Sequence, residues 1–333
     1  MRIDNRFTQH FDLTTPLALA PMALAAGGAL AAACCRAGAL GLVGGGYGQL
    51  DWLQREYTLA VDTLQADAPN AQRLGCGFIT WKLDEDASAL DWLLANHQPR
   101  AVMLSFGEVA RYAPRIRQHG ATLICQIQSL SQLPAVLDAG AQVVVGQGME
   151  AGGHGMKASQ GRGTFALIPE LADALAARAP EVMLLAAGGV GDGRGMAASL
   201  MLGADGALMG SRLWATQECL APRYALDQAV ATNGDGTARS DVFDRLRNLP
   251  WPEPFDFRAI RNRLHRQWEG RPDALRAELA QAQADYQAGV AAADPERAHA
   301  TVGESTGLIH DLPDAQSLIE RLNAQMLKAL STR

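Results

Sequence analysis

The sequence predicts an α/β protein: a closed (β/α)₈ barrel with a helical appendage near the C-terminus. Three observations carry that prediction. Eight short apolar runs recur over the first two-thirds of the chain, a helix-length stretch separates each neighbouring pair, and glycine clusters follow several of the runs. At 333 residues the chain has room for one such barrel with a sizeable core.

The predicted strands are residues 17–20, 39–43, 75–80, 101–105, 122–127, 143–146, 183–187 and 206–209. They are apolar throughout and do not alternate, as befits strands buried on both faces. The predicted helices between them are 23–37, 50–66, 87–96, 109–119, 130–139, 168–179 and 194–202. A helix between every neighbouring pair of strands favours closure into a barrel over an open doubly wound sheet. After Met209 the texture changes. Gly234-Asp235-Gly236 and residues 250–254 read as loops, 274–293 as a polar, alanine-rich helix and 314–330 as an amphipathic one. The expected organisation is a barrel over residues 1–218, a helical lid on the substrate side over 219–300, and a segment over 301–333 that returns to the barrel.

Composition narrows the function. A net charge of −6 and a pI near 5.7 give no general attraction for nucleic acid or an anionic membrane, so an anionic substrate needs a local positive site. Cys34, Cys35, Cys76, Cys125 and Cys219 form no CxxC pair and leave an odd one out, which fits reduced thiols in a cytoplasmic protein. The seven histidines show no HExxH spacing, and no metal is expected. Residues 13–35 carry no charge and are long enough to span a bilayer. Pro16, Pro21, the Gly27-Gly28 pair and the weak hydrophobicity of alanine instead favour a buried strand followed by a helix, with no membrane partner.

Barrel enzymes carry their chemistry on the loops after the strands' C-terminal ends, and the informative residues fall there. Gly188-Gly189 follows the seventh predicted strand, and Gly210-Ser211 follows the eighth. Glycine lets backbone N–H groups approach a phosphate, and a helix start adds about half a unit of positive charge. The neighbouring GRGMAA at 193–198 fits the GxGxxA dinucleotide fingerprint, but it lies inside the predicted helix and not at the strand–helix turn. The segment QGMEAGGHG at 147–155 follows the sixth strand. It sets His154 between glycines, uncrowded, with an ordinary pKa suited to proton transfer or to holding an anion. Glu150 could orient it or bind a cofactor hydroxyl. Pro21-Met22 after the first strand, and the glycines around Gly45 after the second, could lie flat against an aromatic ring system.

Taken together, PLALAPM, GALGLVGGGYG, GFITW, LICQIQS, GQGMEAGGHG, AAGGVGDGRGMAASLMLGADGALMGSRLWAT, WPEPFDFRAIRNR and VGESTGLI resemble the nitronate monooxygenase (2-nitropropane dioxygenase) family, in consistent order over most of residues 14–330. The resemblance implies a TIM barrel that holds FMN and no metal. Gly188, Gly189, Gly210 and Ser211 would hold the phosphate. Pro21, Met22, Gly45, Gln126, Glu150, Gly152 and Gly153 would contact the ring or ribityl portions. His154 would be the catalytic residue, and Ser305 a pocket residue on a loop returning to the site. The implied reaction oxidises alkyl nitronates, or nitroalkanes after loss of an α-proton, with O₂ to a carbonyl compound and nitrite. It leaves room for a homodimer. Two departures stand out: GFITW lacks the asparagine that follows the third strand in this family, and Gln126 replaces a lysine after the fifth. Gln126 donates a hydrogen bond but brings no charge, which bears on flavin potential and substrate choice. An FMN-dependent NAD(P)H:quinone or enoyl-thioester reductase would use the same fold, and a flavin-free phosphate-binding barrel would use the same glycine turns.

Overall fold

Eleven strands form among the described residues: β1 (Leu17–Leu19), β2 (Gly41–Gly46), β3 (Leu74–Ile79), β4 (Ala101–Ser105), β5 (Thr122–Ile127), β6 (Val143–Gln147), β7 (Gly153–Met156), β8 (Met183–Ala187), β9 (Gly206–Met209), β10 (Thr237–Ser240) and β11 (Phe255–Ile260). The computed structural model describes residues 3–65 and 68–331. The expected end of the second helix at Ala66, and residues 1–2 and 332–333 of the outer segments, lie outside it.

The eight predicted runs form one parallel sheet in the order β1-β9-β8-β6-β5-β4-β3-β2. The ends meet where Leu19 N–H donates to Leu40 O at 2.9 Å and Leu40 N–H to Leu17 O at 3.0 Å. The architecture is therefore the (β/α)₈ TIM barrel expected from the sequence. Side chains alternate along each strand, so residues two apart share a face. Ala18, Met103, Ile124, Val145, Leu185 and Leu208 belong to the core inside the barrel. Two residues further along the same faces stand Ala20, Ser105, Gln126, Gln147, Ala187 and Gly210, which thus point into the barrel mouth. The opposite faces, among them Leu104, Leu123, Cys125, Val144 and Leu184, pack with the surrounding helices in the larger core.

The helices differ from the sequence-based expectation at three points that bear on the architecture. The first inter-strand helix starts at Gly28, not at residue 23, because Leu24 takes a left-handed backbone (φ 59°) in a turn. A five-residue helix, Arg6–His10, closes the bottom of the barrel, burying Phe7 and Phe11 edge to face at 5.2 Å. It is too short to show a helical period, although its Asn5–Thr8 capping box is a local signal. The alanine-rich stretch breaks near Glu278 into helices Pro272–Ala277 and Leu279–Ala291.

A second sheet sits outside the barrel. Its antiparallel order is β10-β11-β7, with His154 directly opposite Phe257. Val242, Phe243, Leu246, Phe257, Leu264, Trp268 and Tyr286 form its own small core. The final helix, Ala315–Ser331, then returns to pack on helix Gly193–Met201, where Gly193 N–H donates to Gln325 Oε1 at 3.1 Å. The charge-free 13–35 stretch is β1 plus helix Gly28–Arg36. Among the described residues no helix is long and apolar enough to cross a membrane.

Candidate active site

The residues that alternation aims into the barrel mouth line the floor of a cavity of about 590 Å³, and the second sheet walls one side of it. Of the residues singled out in the sequence, Pro21, Met22, Gln126, Glu150, Gly152, Gly153, His154, Gly188, Gly189, Gly210, Ser211 and Ser305 all line this one space. Gly45 does not. A Cβ there would fall 2.7 Å from the Phe78 ring and 3.0 Å from Cys76 Sγ, so its α-carbon packs on β3 while Gly46 and Tyr47 reach the cavity.

The double-glycine turn after β8 has a left-handed backbone, φ 92° at Gly188 and 74° at Gly189. A side chain at Gly188 would press on Gly148 O at 2.8 Å, so both conformation and space demand glycine there. Beside it, Gly210 caps the short helix Ser211–Trp214 with open room before it: a Cβ would meet only Ala20 and Met22 at ordinary contact distance. Among the described residues the N–H groups of Gly189, Val190, Gly210 and Ser211 donate to no backbone acceptor. Two adjacent turns with free donors fit a phosphate-sized anion. Ser211 Oγ accepts from Gly303 N–H at 2.8 Å, which draws the returning 303–305 segment against the turns. Ser305 packs beside Gly191 and so borders this end of the cavity.

The loop after β6 is clamped by two buried arginines of the second sheet. Arg239 donates to Ala151 O at 2.6 Å, and Arg258 to Met149 O at 3.2 Å. The Glu150 carboxylate accepts from Thr164 N–H at 2.8 Å and from Thr164 Oγ1 at 2.9 Å, at the start of helix Thr164–Arg178. It is therefore anchored on that helix start, and the group that orients His154 is a different carboxylate.

His154 lies on β7, a strand where the sequence suggested a free loop. Its Nε2 is 2.9 Å from Asp244 Oδ1, and both side chains are buried. The imidazole stacks on Trp251 with centroids 3.4 Å apart and planes 12° apart, and Phe257 tilts against it at 4.8 Å. Trp251 is braced by Tyr47, whose Oη accepts from its Nε1 at 3.2 Å, and by the rings of Trp81 and Phe106 at 5.5 and 5.2 Å. Burial, helped by Arg247 and Arg239, holds the His154 pKa well below its ordinary value. Burial pushes Asp244 up to about 7, with Arg247 opposing and Asp241 adding. Charge is disfavoured on both partners, so the contact is a neutral imidazole against a carboxyl poised near neutrality. With Asp244 ionised, Nε2 must carry the hydrogen it donates, and Nδ1, which has no partner among the described residues, is left as a free base. Arg247 also lines the cavity, its Nη1 4.0 Å from Asp244 Oδ1 and without a hydrogen bond among the described residues. It supplies the local positive charge that an acidic protein needs to attract an anion.

Asp244, Arg247 and Trp251 were not among the residues singled out in the sequence. Asp244 lies in the unremarkable stretch SDVFDRL, and only its position in space gives it a role. For Trp251 a signal existed: FDFRA alternates apolar and polar residues with the period of a half-buried strand, which would have placed the tryptophan in the loop leading into that strand. Among the described residues no three His, Cys, Asp or Glu side chains converge as a metal site requires.

Comparison with known proteins gives this geometry its setting. Residues 83–325 match the family model described as nitronate monooxygenase. A nitronate monooxygenase of Metarhizium robertsii is 33% identical, over 96% of this chain and 93% of that protein. A nitronate monooxygenase of Neurospora crassa is 28% identical, over 92% and 87%. In fold, FabK from Thermotoga maritima superposes with a TM-score of 0.82 at 24% identity, covering 99% of this chain and 98% of that one. The nitroalkane oxidase from Streptomyces ansochromogenes gives 0.77 at 24% identity, covering 98% and 99%. The chain is an oxidoreductase that belongs to the nitronate monooxygenase family, which implies a bound flavin.

Proposed function

We propose that the protein uses FMN and O₂ to oxidise alkyl nitronates to a carbonyl compound and nitrite, and that it also accepts the parent nitroalkanes. The observation that carries this reading is the His154–Asp244 pair, 2.9 Å apart, in the same cavity as the two glycine turns. Gly188, Gly189, Gly210 and Ser211 would hold the FMN phosphate, and Pro21, Met22, Gln126, Gly152 and Gly153 its ring and ribityl portions. Bound FMN supplies the electron transfer that a polypeptide cannot perform.

The remaining work belongs to the chain's own side chains. Arg247 draws the anionic nitronate into the cavity and balances its charge. With a neutral nitroalkane, His154 Nδ1 takes the α-proton, and Asp244 keeps the ring in the required tautomer throughout. Trp251, backed by Tyr47, Trp81 and Phe106, covers one face of the imidazole and keeps bulk water from it.

The purified protein is expected to be yellow, to release FMN on denaturation, and to form nitrite while consuming O₂ with a simple alkyl nitronate. A colourless protein, or one whose flavin is bleached anaerobically by NADH and not by a nitronate, would overturn the proposal in favour of a flavin-free barrel or a reductase. Gly188→Ala tests the turn: forcing alanine to a positive φ costs about 1–2 kcal/mol, apart from the contact with Gly148 O at 2.8 Å. It should lower the melting temperature by roughly 2–5 °C and leave protein depleted of flavin, read by calorimetry and the flavin-to-protein absorbance ratio.

A further inference from the structure

The cavity contains a second imidazole that the scheme above leaves idle. His299 lines it, on the chain just before the segment that returns to the glycine turns. Its Nδ1 lies 2.7 Å from Tyr286 Oη, and Tyr224 Oη donates to its backbone carbonyl at 3.2 Å. Phe257 and Tyr286 enclose the ring at 5.7 and 5.9 Å, and Phe243 at 5.7 Å.

The hydrogens can be assigned. Tyr286 is buried, and among the described residues its hydroxyl has His299 Nδ1 as its sole partner, so the phenol proton goes to Nδ1. Burial pushes the phenol up to about 12, so the hydroxyl keeps the proton that it can donate. Burial, with Arg247 and His154 nearby, pushes His299 down to about 3, which keeps it neutral. A neutral imidazole that accepts at Nδ1 carries its hydrogen at Nε2, and no group among the described residues accepts that hydrogen. His154 and His299 therefore flank Phe257, at 4.8 and 5.7 Å, as the same Nε2–H tautomer with opposite nitrogens left unpaired. One offers a lone pair, the other a hydrogen.

We propose that His299 binds substrate, its Nε2–H holding a nitro oxygen while Arg247 balances the charge. The assignment rests on the nitronate reading of the site. A fixed donor that never titrates holds an oxyanion without competing for its proton, and with Tyr286 setting its tautomer it needs no reorganisation when charge develops. The division of labour also leaves His154 free to act at carbon.

Nitrate, a planar oxyanion that cannot react, is the probe. It is titrated by calorimetry into the purified, flavin-loaded protein and into two variants. His299→Asn keeps an amide near Nδ1 for Tyr286 but removes the Nε2 donor, and His299→Gln returns an amide N–H near the Nε2 position. His299→Asn should weaken nitrate at least about tenfold, a typical loss for a hydrogen bond to a charged group. It should raise KM for a nitronate by a similar factor, with kcat within about twofold. His299→Gln should recover most of both. Equal melting temperatures would accompany this result. Unchanged nitrate affinity in His299→Asn, no nitrate binding by the unmodified protein, or equal loss in both variants would overturn the proposal. Should His299→Asn fail to fold, Tyr286→Phe decides: freed from its tautomer lock, His299 should bind nitrate more weakly, and unchanged affinity overturns the idea. A protein that binds nitrate through His299 yet oxidises no nitronate would remove the proposed function alone. Nitronate turnover indifferent to His299 would remove this inference alone.

Discussion

Replacing His154 by asparagine is expected to lower kcat/KM for a neutral nitroalkane by about 10²- to 10⁴-fold, the range for a lost general base. With the matching preformed nitronate the loss should stay near about tenfold, the value of one hydrogen bond. The asymmetry follows from the site. Nδ1 is the nitrogen without a protein partner, and the α-proton is the one barrier that the nitronate has already crossed. Asparagine keeps a polar group of similar reach at the start of the side chain, so Trp251 retains a surface to pack on. Oxygen uptake and nitrite release measured in parallel on both substrates would decide it. Equal losses on the two would mean that His154 binds or orients and removes no proton.

Asp244→Asn should be nearly as damaging to nitroalkane turnover, about 10²-fold or more, because the amide can donate to Nε2 and so drive the imidazole hydrogen onto Nδ1. The pH dependence identifies the cause. Nitroalkane kcat/KM should rise as pH increases through about 7, where Asp244 gives up its proton and can take the Nε2 hydrogen. The variant should lack that limb. Stability should move the opposite way. The carboxyl holds its proton more tightly in the folded protein than in the unfolded chain, where its pKa is the ordinary 3.8. Between those two values the native state binds more protons than the unfolded one, so the group's contribution to stability falls as pH rises and is least favourable above about 7. Its Oδ2 is also buried without a partner. An uncharged amide removes the ionisation cost, so Asp244→Asn should melt no lower than the parent at pH 8 while having lost its activity. A variant that is both inactive and destabilised there would make Asp244 a structural residue.

The barrel was legible because its signal is carried by whole segments. Runs such as LICQI and VVVG admit no face that water could touch, and their spacing leaves space for a helix each time. The glycine turns and His154 were legible because each follows directly on such a run. What escaped was whatever depends on contacts between distant parts of the chain. Asp244 meets His154 across ninety positions, and His299, in a loop, meets Tyr286 of helix Leu279–Ala291 only through the turn of the chain between them. Nothing adjacent to either residue distinguishes it from any other acidic or imidazole side chain. His154 itself was placed in a loop because four residues rich in glycine carry no strand propensity; β7 exists because β11 offers it an edge.

The pairing of β7 with β11 divides the labour of the enzyme along a line that heredity can exploit. The groups expected to grip the phosphate belong to the barrel, whereas those proposed to tune the base and hold the substrate (Asp244, Arg247, Trp251, His299) all arrive on one stretch, residues 244–299, laid over it. Substitutions confined to that stretch are therefore expected to alter substrate choice more than flavin content.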